Sequence, residues 1–274
     1  MQSHIPEGSI PDSSTRERLL IVPEPGLCGA LLAEPGIRAL HLDGAGDPEI
    51  TVCHETADLF AGHPAVHALA YSYPERTDQF DRIITLQAGR GKGTNMEKIE
   101  VYAAGAGAVL HENQPKVFLT SFDLIRVQRF GLNQVVRPRV ALTLPTYLPA
   151  AEEEGWIALC RALTERMGCG VVLLGDEGTV NIPGGKDFRG KLMAREMAAV
   201  LSQCDVLITS EAEMIWMGLS VRVPGVFIGT EEMARMLCPD REQGGFECAT
   251  GPHDVIEAMS RLERRIPAKW IEEQ

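Results

Sequence analysis

Hydrophobic residues recur along this chain in short unbroken runs, separated by stretches whose apolar positions repeat every three or four residues. The runs Arg18–Val22 (RLLIV), Glu49–Cys53 (EITVC), His67–Tyr71, Phe80–Leu86 (FDRIITL), Arg139–Leu144 (RVALTL), Gly170–Leu174 (GVVLL) and Asp205–Thr209 (DVLIT) have the length of strands, and continuous hydrophobicity marks a strand covered on both faces. Between them lie helical stretches. ALLAEPGIRALHL follows the turn PEPGLCG, and Pro35 is expected to interrupt it. A short helix is expected over Glu55–Ala61, and longer ones over Met96–Leu110 and Ser121–Phe130. In Glu152–Met167, Trp156, Leu159, Cys160 and Leu163 share one face. Asp254–Arg265 closes the pattern before Pro267. Strands alternating with helices predict doubly wound parallel sheets with right-handed crossovers.

The alternation runs through once, restarts near residue 136, and shows no solenoid repeat. With 274 residues and 45% hydrophobic content, the chain has enough material for two cores. The division expected is a disordered segment over 1–16, a Rossmann-like unit over 17–135 and a second over 136–274.

The second unit contains the most ordered grammar, Gly190–Gly229. It reads as helix (Leu192–Ser202), strand (Asp205–Thr209), polar turn at Ser210 and Glu211, helix, and a strand ending at Gly229. A turn that leaves a strand and opens a helix presents free N–H groups and the positive end of the helix dipole, which suits a phosphate. Ser210 followed by acidic residues also reads as a simple N-cap. A second anion-binding candidate is the loop Gly89-Arg90-Gly91-Lys92-Gly93-Thr94, which departs from P-loop spacing and reads equally as a flexible loop.

Charge narrows the partners. The 38 acidic against 26 basic residues give −12, which argues against a nucleic-acid or anionic-membrane surface. Seven scattered Cys without CxxC spacing suit reduced, mostly buried thiols and a cytoplasmic setting. The apolar runs are too short to span a membrane, leaving at most peripheral contact. No HExxH or G-x-S-x-G motif is present, so neither a metal site nor a simple hydrolase is expected.

In order along the chain, RLLIVPEPGLCGALLAEPGIRAL, FDRIITLQ, DFRGKLMAREMAAVLSQCDVLITS and VPGVFIGT resemble the successive segments of glycosyltransferase family 9, the ADP-heptose:lipopolysaccharide heptosyltransferases. The resemblance covers about Arg18 to Thr230. It implies the GT-B architecture, two Rossmann-like domains around a cleft. It also implies inverting, metal-independent transfer without a cofactor, with a nucleotide-sugar donor, ADP-type, in the C-terminal domain and a lipopolysaccharide or other glycan acceptor in the N-terminal one.

The resemblance also locates the departures. The family's base is an Asp directly after the Gly of the first turn; here that Gly is Gly29 and the next residue is Ala30. Glu24 and Glu34 are the nearest carboxylates able to replace it, although turn and surface roles suit them too. The family's D-[ST]-G-P-x-H turn becomes Ser210-Glu211-Ala212-Glu213-Met214-Ile215. The substrate-binding set implied is Gly26, Gly29, Asp176, Glu177, Lys191, Leu192, Ser210, Glu211, Ala212, Glu213 and Met214, to which the glycine-rich loop adds Arg90 and Lys92. Three functions fit these residues: a glycosyltransferase, a catalytically degenerate member that binds a sugar nucleotide or a protein partner, and another GT-B enzyme such as a sugar-nucleotide epimerase.

Overall fold

The computed structural model describes residues 16–42, 47–87, 95–145, 149–178, 180–237 and 245–263. The expected disorder before residue 16 and the Gly89–Thr94 loop, with Arg90 and Lys92, lie outside the described residues.

The first apolar runs form strands β1 (Arg18–Val22), β2 (Glu49–Cys53), β3 (Val66–Ala70) and β4 (Arg82–Thr85). They make a four-stranded parallel sheet in the order β3-β2-β1-β4. Helices α1 (Leu27–Leu42), α2 (Asn95–Ala106) and α3 (Ser121–Arg129) accompany it. The later runs form β5 (Arg139–Thr143), β6 (Gly170–Leu174), a two-residue β7 (Lys186–Asp187), β8 (Val206–Thr209), β9 (Gly225–Ile228) and β10 (Phe246–Ala249). Their parallel sheet has the order β10-β9-β8-β5-β6-β7, the doubly wound Rossmann arrangement. The helices here are α4 (Ala150–Arg161), α5 (Ala194–Leu201), α6 (Ala212–Ser220), α7 (Glu231–Leu237) and α8 (Val255–Glu263). Positions expected to face the core here do so: Trp156, Leu159 and Cys160 of α4, and Leu163 in the π-helical segment Ala162–Arg166 that continues it, are all buried.

Three expectations need correction. Pro35 does not interrupt its helix: α1 runs unbroken through it, and every residue from Gly29 to Ala39 is buried. A proline inside a helix costs about 3 kcal/mol; the buried apolar residues around it, each contributing roughly 1.5–3 kcal/mol, outweigh that. The helix packs closely on α2, and a Cβ on Gly36 would lie 3.1 Å from Ala103 Cα. The segment 175–190, where the hydrophobic pattern marks no element, contributes an edge strand, with Lys186 and Asp187 paired to Val172 and Leu173. Finally, α7 and β10 fill the stretch between Gly229 and Asp254, where no element was expected.

One hydrophobic cluster continues from the first sheet into the second. It joins Ile21, Ile37 and Ile50 to Met214, Trp216 and Phe227. Its bridge is α6, whose residues from Met214 to Ser220 are all buried. Helix α6 is apolar on every side because it is covered by α1 as well as by its own sheet. A second cluster, including Val140, Leu142, Trp156, Val171 and Val255, fills the other face of the second sheet.

Candidate active site

In an open parallel sheet, ligands bind beyond the carboxyl ends of the two neighbouring strands whose connections leave in opposite directions. These strands are β1 and β4 in the first sheet and β5 and β8 in the second. The second crevice is closed by hydroxyls. Thr143 Oγ1 donates to Thr209 Oγ1 at 2.5 Å, and both residues are wholly buried. The Glu211 amide then donates to Thr209 Oγ1 at 2.9 Å. That bond turns the chain into α6 and makes Glu211 the N-cap residue, with no side-chain cap bond. Ser210 is therefore not the cap, and its buried Oγ has no partner among the described residues.

Glu211 is held over the turn that ends β6. Gly175 there has φ +100°, and a Cβ on it would lie 3.6 Å from Glu211 Oε2. Burial, together with the carboxylates of Asp176 and Glu213, pushes the Glu211 carboxyl up to about 7. A carboxyl that changes charge near neutrality can hold or release a proton under ordinary conditions. The turns on either side are tied, since the Gly190 amide donates to the Gly175 carbonyl at 3.0 Å.

The first crevice begins at the end of β1. Glu24 is half-buried and accepts a hydrogen bond from Tyr102 Oη at 2.5 Å. Its carbonyl contacts His54 Nε2 at 3.0 Å, while His54 Nδ1 accepts the Thr56 amide. The proton of His54 is thereby assigned to Nε2. The same carbonyl explains Gly29, where a Cβ would come within 1.9 Å of the Glu24 oxygen. Gly26, at φ +93°, donates its amide to Glu55 Oε1 at 2.6 Å, and this bond holds the Glu55 carboxyl below its ordinary range.

The two crevices meet at Gly26, where a Cβ would lie 3.7 Å from Glu213 Oε1. Cys28 stands in the same junction. Burial, then Glu213, then Glu24 raise its thiol to about 11, with Lys98 opposing them. Gly26, Glu211, Glu213 and Asp176 are thus brought together, with Glu24 in electrostatic reach through Cys28.

Other expected residues stand elsewhere. Ala30 is a core residue of α1. Glu34 is buried and accepts from Arg38 Nε at 2.8 Å, His63 Nε2 at 3.1 Å and the Lys116 amide at 2.8 Å. Glu177 packs against Gly190, where a Cβ would lie 2.9 Å from Glu177 Cβ. Lys191 donates to the Asp187 carbonyl. Leu192 packs against the shared core, in which Met214 is buried. Ala212 is the first residue of α6.

Tyr102, Cys28, Thr143 and Thr209 were not expected in the site. The two threonines end strands β5 and β8, which is the sequence signal that could have found them. Tyr102 lies in an amphipathic helix and carries no such signal. Among the described residues, no group of three or more His, Cys, Asp or Glu side chains is arranged to hold a metal ion, and no helix is long and apolar enough to cross a membrane.

No protein-family model matches the sequence, and no curated protein matches it. Solved structures do. The ADP-heptose lipopolysaccharide heptosyltransferase II of E. coli aligns over 89% of this chain and 98% of its own, at 12% identity and a TM-score of 0.67. The glycosyl transferase family 9 protein of Veillonella parvula DSM 2008 aligns over 90% and 97%, at 14% identity and a TM-score of 0.64. E. coli heptosyltransferase WaaC, solved with ADP-2-deoxy-2-fluoro heptose, aligns over 93% and 99%, at 14% identity and a TM-score of 0.56. The chain therefore has the fold of the family 9 heptosyltransferases, the GT-B architecture of two Rossmann-like parallel-sheet units.

Proposed function

We propose that this chain transfers a sugar, heptose-like, from a nucleoside-diphosphate donor of ADP type to a glycan acceptor of the bacterial envelope, such as lipopolysaccharide. The reaction inverts the anomeric centre, needs no resident metal or cofactor, and takes place in the cytoplasm. The observation that carries this reading is the junction of the two crevices at Gly26, with carboxyl groups of two different characters around it. In this scheme residues 17–135 hold the acceptor and residues 136–274 the donor.

Glu24 serves as the base. It takes the proton of the acceptor hydroxyl as that oxygen attacks the anomeric carbon, and Tyr102 holds its carboxylate in place. The departing diphosphate lies at the N-terminus of α6, where free amides and the helix dipole favour negative charge. Ionised Glu211 would repel it. A protonated Glu211, with a pKa of about 7, instead donates its O–H to a phosphate oxygen.

A second reading, a degenerate member that binds a sugar nucleotide or a protein partner without transfer, is favoured by one observation. Glu55 occupies the Gly26 amide, and Glu211 and Glu213 stand at the start of α6, so the chain's own carboxylates already fill positions suited to a diphosphate. The two readings separate on incubation with ADP- and UDP-sugars plus a panel of glycan acceptors. Acceptor-dependent nucleotide release, lost in Glu24→Gln and lowered in Tyr102→Phe, supports transfer. Thermal stabilisation by ADP-heptose without release supports the degenerate reading, because a ligand of the native state must raise its stability. Neither release nor stabilisation by any sugar nucleotide would overturn both nucleotide-based readings.

A further inference from the structure

A cavity of about 480 Å³ lies at the opposite end of the second sheet from the crevice. It opens where β6 and β7 begin, and its lining includes Gln134, Val135, Val136, Cys169, Val171 and Lys186. Its size is that of a small-molecule site, roughly 300–1,000 Å³.

Valines 135 and 136 supply an apolar wall, and five glycines on the lining leave its floor without side chains. At Gly131, with φ +81°, a Cβ would lie 3.1 Å from Lys186 Nζ, so a side chain there would crowd the ammonium. Thr164 is not available to a ligand as a donor, since its hydroxyl is directed to the Cys160 carbonyl at 3.0 Å.

The charge at this end runs against that of the chain. Lys186 is half-buried, its Nζ lies 5.7 Å from the centre of the Phe188 ring, and it has no carboxylate partner among the described residues. The Arg139 guanidinium donates only to carbonyls, that of Val135 at 3.1 Å and that of Gln203 at 3.4 Å. In a chain with a formal charge of −12, Lys186 thus lines the cavity, and Arg139 sits behind it on the Val135 carbonyl, with no carboxylate paired to either side chain among the described residues. A half-buried ammonium without a carboxylate partner favours an anionic one.

We propose that this cavity is a second ligand site, distinct from the crevice, which takes a small organic anion: a carboxylate or phosphate monoester on an apolar body. The anionic group pairs with Lys186 and the body lies on Val135 and Val136. The site does not depend on the glycosyl-transfer reading.

The test is titration of the full chain with phenyl phosphate, benzoate and neutral benzyl alcohol at constant ionic strength. Binding is followed by calorimetry and by amide shifts of Gly168, Gly184 and Gly185. The expected result is saturable binding of at least one anion, with those three amides moving and benzyl alcohol inert. Phenyl phosphate alone identifies the monoester, and benzoate alone the carboxylate. Lys186→Met should weaken binding about tenfold or more, as expected for a lost charge-assisted hydrogen bond, while Lys186→Arg keeps most of it. If Lys186→Met does not fold, Lys186→Gln serves in its place. Absence of binding by both anions, shifts confined to the crevice, or unchanged affinity in the uncharged variant would overturn the proposal.

Discussion

The backbone N–H of Arg195, in the first turn of α5, donates to the carboxylate of Asp58 at 2.9 Å, across 137 positions of sequence. Asp58 belongs to the 3-10 turn Ala57–Phe60 beside the first sheet, whereas α5 belongs to the second. Met193, the N-cap residue of α5, makes no side-chain cap bond of its own, so the first unit supplies an anion to a helix start in the second. The Arg195 guanidinium then reaches Asp123 of α3 through Nε at 2.9 Å and Nη2 at 2.7 Å. Arg126 and Glu196 pair between the same two helices at 2.6 Å. Together with the core shared through α6, these bonds fix the two sheets to one another.

Asp58→Ala should therefore act as the loss of a helix cap, lowering stability by about 0.5–2 kcal/mol. Asp58→Asn, which keeps an acceptor oxygen, should recover most of that. Urea midpoints of the three proteins check this. A change confined to the loop around residue 58 in hydrogen exchange, with α5 unaffected, would contradict the capping role.

Gly29→Ala is expected to be the most damaging single-methyl change in the first crevice. Its Cβ would come within 1.9 Å of the Glu24 carbonyl, which is itself pinned by His54. Neither backbone can yield without moving β1 or α1, and overpacking of this kind costs about 3 kcal/mol or more. Gly105, where a Cβ would meet only the end of the Leu86 side chain at 3.8 Å, is the control. Gly105→Ala should be neutral or stabilising, because alanine is favoured over glycine within a helix. Equal denaturation midpoints for the two variants would refute the steric argument.

Much of this fold was legible in the sequence because a strand buried on both faces reads as a nearly continuous apolar run. Arg18–Val22, Glu49–Cys53 and Gly170–Leu174 are strands over the very bounds expected. What was missed has local causes. Strand β7 is two residues long and carries Lys186 and Asp187, so no hydrophobic run marks it. In β10, Glu247 is 4% exposed and pairs with Arg261 of α8 at 3.2 Å, a tertiary ion pair that periodicity cannot reveal. The site was less legible than the fold. A carboxylate within two turns of a glycine looks the same in sequence whether it faces a crevice, as Glu24 does, or sits inside an ion network, as Glu34 does.

That contrast gives a test at Glu34. Its carboxylate binds Arg38, His63 and the Lys116 amide, and Arg38 continues to Glu112 and the Gln114 carbonyl. Removing the charge leaves a buried guanidinium short of its counter-ion, at a cost of about 3 kcal/mol. Glu34→Gln should lower the melting temperature clearly, yet leave the nucleotide affinity of the folded fraction unchanged. Glu24→Gln should leave the melting temperature near that of wild type and instead abolish acceptor-dependent nucleotide release. Loss of nucleotide binding in Glu34→Gln at a temperature where it is fully folded would count against a purely structural role.

Glu211 gives the pH dependence. Its carboxyl titrates at about 7 in the folded chain against an ordinary 4.5, because burial and the neighbouring Asp176 and Glu213 oppose ionisation. Between those two pH values the folded state holds the proton more tightly than the unfolded one, so stability falls with rising pH. The contribution is fully present below about pH 4.5 and is lost as pH passes through 7. Glu211→Gln has no proton to lose and should flatten this part of the profile. The variant should therefore be the more stable protein at pH 8, with the advantage shrinking toward pH 5. Nucleotide binding should follow the same proton if the diphosphate lies beside Glu211: wild-type affinity for ADP rises as pH drops from 8 to 6, and Glu211→Gln holds its affinity at pH 8. Urea midpoints and ADP titrations of both proteins across pH 5–8.5 check the two halves separately. Parallel stability profiles would remove the raised pKa, whereas diverging stability with no pH-linked change in ADP binding would remove only the phosphate contact.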